Sequence, residues 1–325
     1  MQRTLRQGLL VLATVVLTAG ALLAAEQGAF DRTLTVTGAV DLTVVTGSGH
    51  IDIKAGGANS VIVHATVRVG DNFLGGLDAR ARLDRILKNP PIEQNGNIIR
   101  NGRIDDPELT RNVSISYDLT VPVETRVSSK TGSGDQVVEG CRGPVEIASG
   151  SGELRVSNIG AEVRATTGSG DIKINNVKGE VRVNTGSGHI AALGVGGAFD
   201  GRTGSGGVEM EQAGSGNVSA ETGSGDISLR NVKGALRVGN GSGDVQAQGE
   251  MTGDWRVETG SGRVQMELPQ QAGFEIYARS SSGRITVDRE ITMQGTLNRH
   301  EIRGKVKGGG YTVDLRTGSG DIVVR

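Results

Sequence analysis

The stretch "TGSGDIKINNVKGEVRVNTGSG", Thr167 to Gly188, begins and ends on the same four residues. Within it Ile172 and Ile174 alternate with Asp171 and Lys173, the phrase "NNVKG" intervenes, and Val181 and Val183 then alternate with Glu180 and Arg182. Period-two alternation over about five residues, bounded by Gly and Asn, marks a strand with one buried face. One unit is therefore two short strands and two corners, and it cannot bury its apolar side alone.

Working outward, the Gly-Ser-Gly triplet starts at Gly132, Gly150, Gly168, Gly186, Gly204, Gly223, Gly241, Gly260 and Gly318, with an earlier copy at Gly47. From Gly132 to Gly260 every step is 18 or 19 residues, and a degenerate copy lies at Ser280 to Gly283. In this phase Leu154, Ile172, Ile190, Val208, Ile227, Val245 and Val264 share one slot. Val163, Val181, Phe199, Val218, Leu236, Trp255 and Phe274 share a second. Stacked at the roughly 4.8 Å spacing of neighbouring strands, these slots become continuous apolar columns, and backbone groups pair upward and downward. The spacing predicts an all-β fold: a right-handed, single-stranded parallel β-solenoid with about 18 residues, two short strands, per coil. Residues 131–325 form this repeat domain, with about eleven coils and a length of roughly 50 Å. The repeated glycines supply the positive φ and close backbone approach that a corner needs.

Residues 26–130 read as an N-terminal β region. Residues 30 to 67 carry alternating stretches that look like an opening coil. "LDARARLDRILK", 77 to 88, changes to helical spacing, with Leu83, Ile86 and Leu87 on one face, and Pro90 and Pro91 end it. This short helix is expected to brace the first coils or cap their open edge. "NVSISYDLTVP", 112 to 122, returns to strand.

Composition narrows the function classes. Glycine occurs 53 times in 325 residues and aromatics make up 2%, so a conventional core built on aromatic side chains is excluded. The regular apolar alternation excludes simple disorder. Residues 1–25 place Arg3 and Arg6 ahead of an apolar run from Gly8 to Leu23 and small residues at Ala24 and Ala25, the pattern of a cleaved signal peptide. The chain is thus expected to be exported, to the periplasm, cell envelope or cell surface. The lone Cys141 cannot form an internal disulfide. A net charge of −1 gives no general pull toward nucleic acid.

The chain of "GSGDI" and "NVKGEV" units, "YDLTVP" leading into "TGSGD", "LPQQAGFEI" and the closing "GGGYTVDLRTGSGDIVVR" resembles bacterial β-strand repeat proteins of the DUF4097 type, over roughly Thr33 to Arg325. The resemblance implies a parallel β-solenoid at the cell envelope with an adhesin label that is itself an analogy. It brings no catalytic residues.

Read for chemistry, the chain offers little. An 18-residue coil matches the size of a calcium-binding β-roll, but the slot after each triplet holds Asp135, Glu153, Asp171, His189, Gly207, Asp226, Asp244, Arg263, Arg284 and Asp321, and the required nonapeptide is missing. No metal or other cofactor is expected. The serine row of the triplets is explained by corner hydrogen bonding. A threonine row (Thr131, Thr167, Thr185, Thr203, Thr222, Thr259, Thr317) has the look of an ice-binding array, yet Ser149, Asn240 and Ser280 interrupt it. A carbohydrate-active enzyme, a polysaccharide lyase or hydrolase on a parallel β-helix, would need paired carboxylates in a walled groove. Uniform short corners provide no loops for such walls. The outward slot of the second strand holds Glu146, Arg164, Arg182, Asp200, Ser219, Arg237, Arg256 and Glu275. Its two pairs, Arg164 with Arg182 and Arg237 with Arg256, could grip anionic polysaccharide or lipid headgroups. The reading is therefore an exported, non-catalytic rod that binds cell-surface polysaccharide or an envelope protein by multivalent contact. Self-association through a terminal coil is a further expectation, because "GDIVVR" would present an unpaired strand edge.

Overall fold

The computed structural model describes residues 25–57, 59–70, 78–293 and 299–325. Residues 1–24 of the expected signal peptide lie outside them. The described residues are all-β apart from two helices, Ala79–Lys88 and Pro107–Thr110.

Each coil has a leading strand that ends in the glycine corner and a trailing strand that follows it. In the regular part the leading strands Val145–Ser151, Val163–Ser169, Val181–Ser187, Phe199–Ser205 and Val218–Ser224 stack in parallel, and the trailing strands Leu154–Ile159, Ile172–Val177, Ile190–Val195 and Val208–Gln212 do the same. Ile172 sits opposite Leu154 on one side and Ile190 on the other, as the 18-residue phase requires. Both expected columns are buried through Val264 and Trp255, filling a narrow interior.

The corner explains why one phrase recurs. A Cβ on Gly168 would lie 2.6 Å from the Gly150 carbonyl oxygen, and one on Gly170 would lie 2.1 Å from that of Gly152, where φ is also +147°. Both positions exclude any side chain. The serine between them is exposed and points outward, so it is free of that constraint.

The hydrogen bonds of the corner belong to the preceding threonine, correcting the assignment to serine. Thr185 Oγ1 donates to the Gly170 carbonyl of the neighbouring coil at 3.0 Å, and Thr203 to that of Gly188 at 3.0 Å. Ser149 and Asn240 do the same, to Gly134 at 3.1 Å and Gly225 at 3.0 Å. The three residues that interrupt the threonine row are thus alternative donors in one buried ladder. A buried ladder is no ice-binding surface.

The slot after the triplet forms a second ladder. Asp135 Oδ1 accepts the Glu153 backbone N–H, Asp171 accepts that of His189, and Asp226 that of Asp244, each at 2.8 Å. These carboxylates are capping the next coil.

The N-terminal region departs from a plain opening coil. Val40–Ser48 and Ile51–Ala55 form the coil, pairing in parallel with Thr125–Ser133 and Gln136–Glu139. Ser60–Val69 instead runs antiparallel to Val113–Val121 and to the edge strand Glu26–Thr35. Alternation of period two is common to both arrangements, which is why it did not separate them. The helix expected over 77–88 spans Ala79–Lys88, with Asp78 as N-cap accepting from Ala81 N–H at 2.6 Å. Leu83 and Ile86 are buried, and Leu87 packs against the core above Gly28, where a Cβ would come within 2.6 Å of it. The helix is a side brace on the outermost strands. Arg82 is fully buried beneath it and donates to the Gly70 and Arg111 carbonyls, both at 2.5 Å, tying together the ends of two strands.

The C-terminal end is reordered. Trp255 is followed in space by Val313, not Phe274, and Val264 by Ile322. Tyr311–Ser319 and Ile322–Val324 occupy the next rung, and Phe274–Ser280 with Ile285–Val287 come after them. The chain leaves Glu267 through the loop "LPQQAG", skips one rung, and fills it last. The closing "TGSGDIVVR" is therefore flanked on both sides and is not the free edge it was expected to be. The degenerate copy at Ser280 to Gly283 takes the end of the stack, as terminal repeats do. There Ile291–Met293 and Glu301–Val306 run antiparallel and close the leading face.

Candidate functional site

The outward slot of the leading strands is where sequence placed the arginines. Register sets Glu146 beside Arg164, Arg164 beside Arg182, and Arg182 beside Asp200. Ser219, Arg237 and Arg256 continue the row. Both arginine pairs therefore lie on adjacent rungs, all four side chains exposed. The row then passes to Asp314 and Tyr277, so Glu275 falls outside it because of the reordered rung.

Within each pair the arginines differ. Arg182 Nε bonds Glu180 at 2.6 Å, and Arg256 bonds Glu258 at 2.6 Å, which holds its pKa above the ordinary guanidinium value. Arg164 and Arg237 make no ion pair among the described residues, leaving one uncompensated guanidinium per pair.

The face between the pairs is concave. Asp200 and Ser219 are short, and over them runs an open groove of about 610 Å³ bounded by Arg182 at one end and by Arg237 and Arg256 at the other. Beneath it run the leading strands at Phe199, Val218 and Leu236, whose side chains are buried in the core column. Three rungs separate Arg182 from Arg237, roughly 14 Å at the strand spacing. Short side chains on a sheet made this groove, where sequence reasoning looked only for loops. Arg164 lies one rung beyond it.

The groove also carries carboxylates, each engaged. Glu180 holds Arg182, Asp200 holds Arg202 at 3.2 Å, and Asp254 accepts the Thr312 N–H at 2.8 Å. Trp255 faces the core and donates its indole N–H to the Gly234 carbonyl at 2.9 Å. His64 pairs with Asp31 at 2.7 Å, and His50 lies 3.8 Å from Asp118, on the N-terminal strands far from the groove in the order of rungs. The exposed arginines beside the groove can hold an extended anion by charge and hydrogen bonding.

Sequence reasoning missed a second cluster. At the reordered end, Tyr277 is bracketed by Arg303, 4.6 Å from the ring centroid, and Arg316, 5.4 Å away. They line an open cleft of about 700 Å³ with Glu275, Thr292 and Lys305. The residues come from strands that no linear phase brings together, and a lone Tyr in an outward position was the one available signal. Its cations are matched: Arg303 by Glu301, Lys305 by Glu275, and Arg316 by Asp314 and Glu258.

No curated protein matches the chain. Among solved structures, a putative cell adhesion protein from Clostridium sporogenes is 14% identical, with 92% of this chain and 99% of that one covered at a TM-score of 0.25. A putative adhesin from Bacteroides fragilis is 12% identical, with 92% and 97% covered at a TM-score of 0.33. The family model described as Toastrack DUF4097 matches residues 31–194 and 196–325. With its glycine-cornered stack and almost its whole described length under that model, the chain belongs to the Toastrack DUF4097 family.

Proposed function

We propose that this protein is an exported, non-catalytic, adhesin-like rod that binds anionic polysaccharide at the cell envelope through its leading face. One observation carries the reading: two in-register arginine pairs flank a groove, and Arg164 and Arg237 make no ion pair among the described residues. A guanidinium without an acidic partner is free to form charge-assisted, bidentate contacts with a carboxylate or sulfate. Rungs at fixed spacing repeat the contact along one ligand chain, so many weak interactions sum to useful avidity. The adhesin names of the structural neighbours accord with this role.

Binding to an array of acidic and neutral glycans tests it. Wild-type protein is expected to retain acidic chains in a salt-sensitive manner, and the variant with Arg164, Arg182, Arg237 and Arg256 all replaced by Ser is expected to lose them. Retention by the folded variant equal to wild type would reject the arginine face. Fractionation of the producing cells tests export separately.

A further inference from the structure

The rung formed by Tyr311–Ser319 and Ile322–Val324 differs from the other rungs of the repeat: it is the last in the chain but lies between two that precede it. Its backbone is bonded on both flanks. Val264 N–H donates to the Asp321 carbonyl and Ile322 N–H to that of Arg284, each at 2.9 Å. Arg325 N–H donates to Met266 and Asp288 N–H to Val324, again at 2.9 Å. Val313, Leu315, Ile322 and Val324 are completely buried in the columns. Until this segment arrives, the rungs on either side present two facing edges and an open apolar slot.

The segment reaches the slot over a glycine crossing. Val306 ends the antiparallel strand on one side of Phe274–Ser280, and Tyr311 begins the parallel strand on the other, so Lys307 to Gly310 step over the start of the strand between them. All four have positive φ, from +47° at Lys307 to +155° at Gly310. A Cβ on Gly310 would lie 2.5 Å from the Gly273 carbonyl oxygen, and one on Gly273 would lie 2.7 Å from that of Gly309. This is a tight hinge joined to the two strands Tyr311–Ser319 and Ile322–Val324.

We propose that the slot is a strand-acceptor site for a second copy of this chain, and that reciprocal exchange of residues 311–325 about the Lys307–Gly310 hinge links two rods into a dimer. Every ladder bond and buried contact of the exchanged rung is the same whether the segment comes from its own chain or its partner's. The closed and exchanged forms then differ only in the hinge and in the entropy of association. Tight hinges favour the exchange, since opening relieves them. The order of synthesis favours it too, because the slot's walls are complete before its occupant. This inference is independent of the arginine face.

Ser261 and Ser319 report on it. They are exposed partners on adjacent rungs, at a spacing a disulfide can span. A chain carrying Ser261→Cys and a chain carrying Ser319→Cys are denatured together, refolded and oxidised. The native Cys141 is buried with its thiol pushed up to about 11 and does not compete at neutral pH. The expected product is a covalent dimer with one chain of each kind, whose yield rises with protein concentration. Ser187→Cys in place of Ser261→Cys is expected to give none. A single chain carrying both substitutions is expected to close on itself when dilute and as a dimer when concentrated. Mixed dimers no more abundant than with Ser187→Cys, while the doubly substituted chain closes only within itself at all concentrations, would overturn the proposal. Failure of the doubly substituted chain to close at all would overturn the placement of the rung. Co-expression of the two single variants gives the same readout without refolding.

Discussion

The middle of the stack and its C-terminal end use the same parts in different order. Between Val145 and Gly249 each coil rests on the one before it in the chain, and sequence phase translates directly into space. Beyond Glu267 the parts remain, a triplet, a donor and two columns, but the last coil is set beneath its predecessor. What fixes a rung's place is the fit of its corner to the neighbour's corner. Gly318 stacks on Gly260, and Gly283 on Gly320. The well-formed copy at Gly318 takes the regular site, and the degenerate one is left for the end, where only one neighbour must be matched.

That contrast makes graded predictions. The largest effect is expected from Gly170→Val, which places a branched side chain at positive φ and against the Gly152 carbonyl. It should abolish folded protein in soluble expression, whereas Gly308→Ala, with open space around its Cβ, should give folded protein with only the modest cost of a non-glycine at positive φ. Equal yields of the two would mean that corner geometry does not decide stacking. Next is Trp255→Ala, at the junction of the regular and reordered parts. It empties a fully buried site and leaves the Gly234 carbonyl without its donor, and should cost about 3–5 kcal/mol in denaturant unfolding.

Thr185→Val should cost about 1 kcal/mol or somewhat more, since the Gly170 carbonyl loses its side-chain partner at nearly constant volume. Ser187→Ala, two residues along the same phrase, should fall within about 0.5 kcal/mol of wild type because its hydroxyl is outside. A signal absent at neutral pH is the pH dependence from Cys141. Burial raises its thiol from 9.0 to about 11, so the unfolded chain releases its proton first. Native protein then holds more protons than unfolded, and stability should decline as pH rises through that window. In Cys141→Ala this part of the decline should vanish.

The regular coils were legible because three constraints coincide at one period: glycine where no Cβ fits, a small donor before it, and apolar residues at alternate positions. Position alone could not assign the hydrogen bonds. Thr185 and Ser187 both carry hydroxyls beside the corner, and strand alternation alone would put residues two apart on one face; the corner breaks the alternation after Thr185, leaving Thr185 inward and Ser187 outward. Ser60–Val69 shows the converse, a clean alternation whose direction is set by partners far along the chain. The arginine pairs were foreseen because they lie in the regular part. Their unequal pairing was not, since Glu180 and Glu258 neutralise Arg182 and Arg256 from two residues away along the chain, on opposite sides of the arginine. The cluster around Tyr277 was invisible because it exists only through the reordering.

Placing this rung inside the stack also decides the level at which Arg325 lies. Arg325 is hydrogen-bonded through its N–H to Met266 and through its carbonyl to Leu268, on the flank of the molecule and a level short of the tip. A label attached at Arg325 would therefore sit one rung before the terminal coil of Phe274–Ser280 and Ile285–Val287, and would report on the interior of the stack and not on its tip.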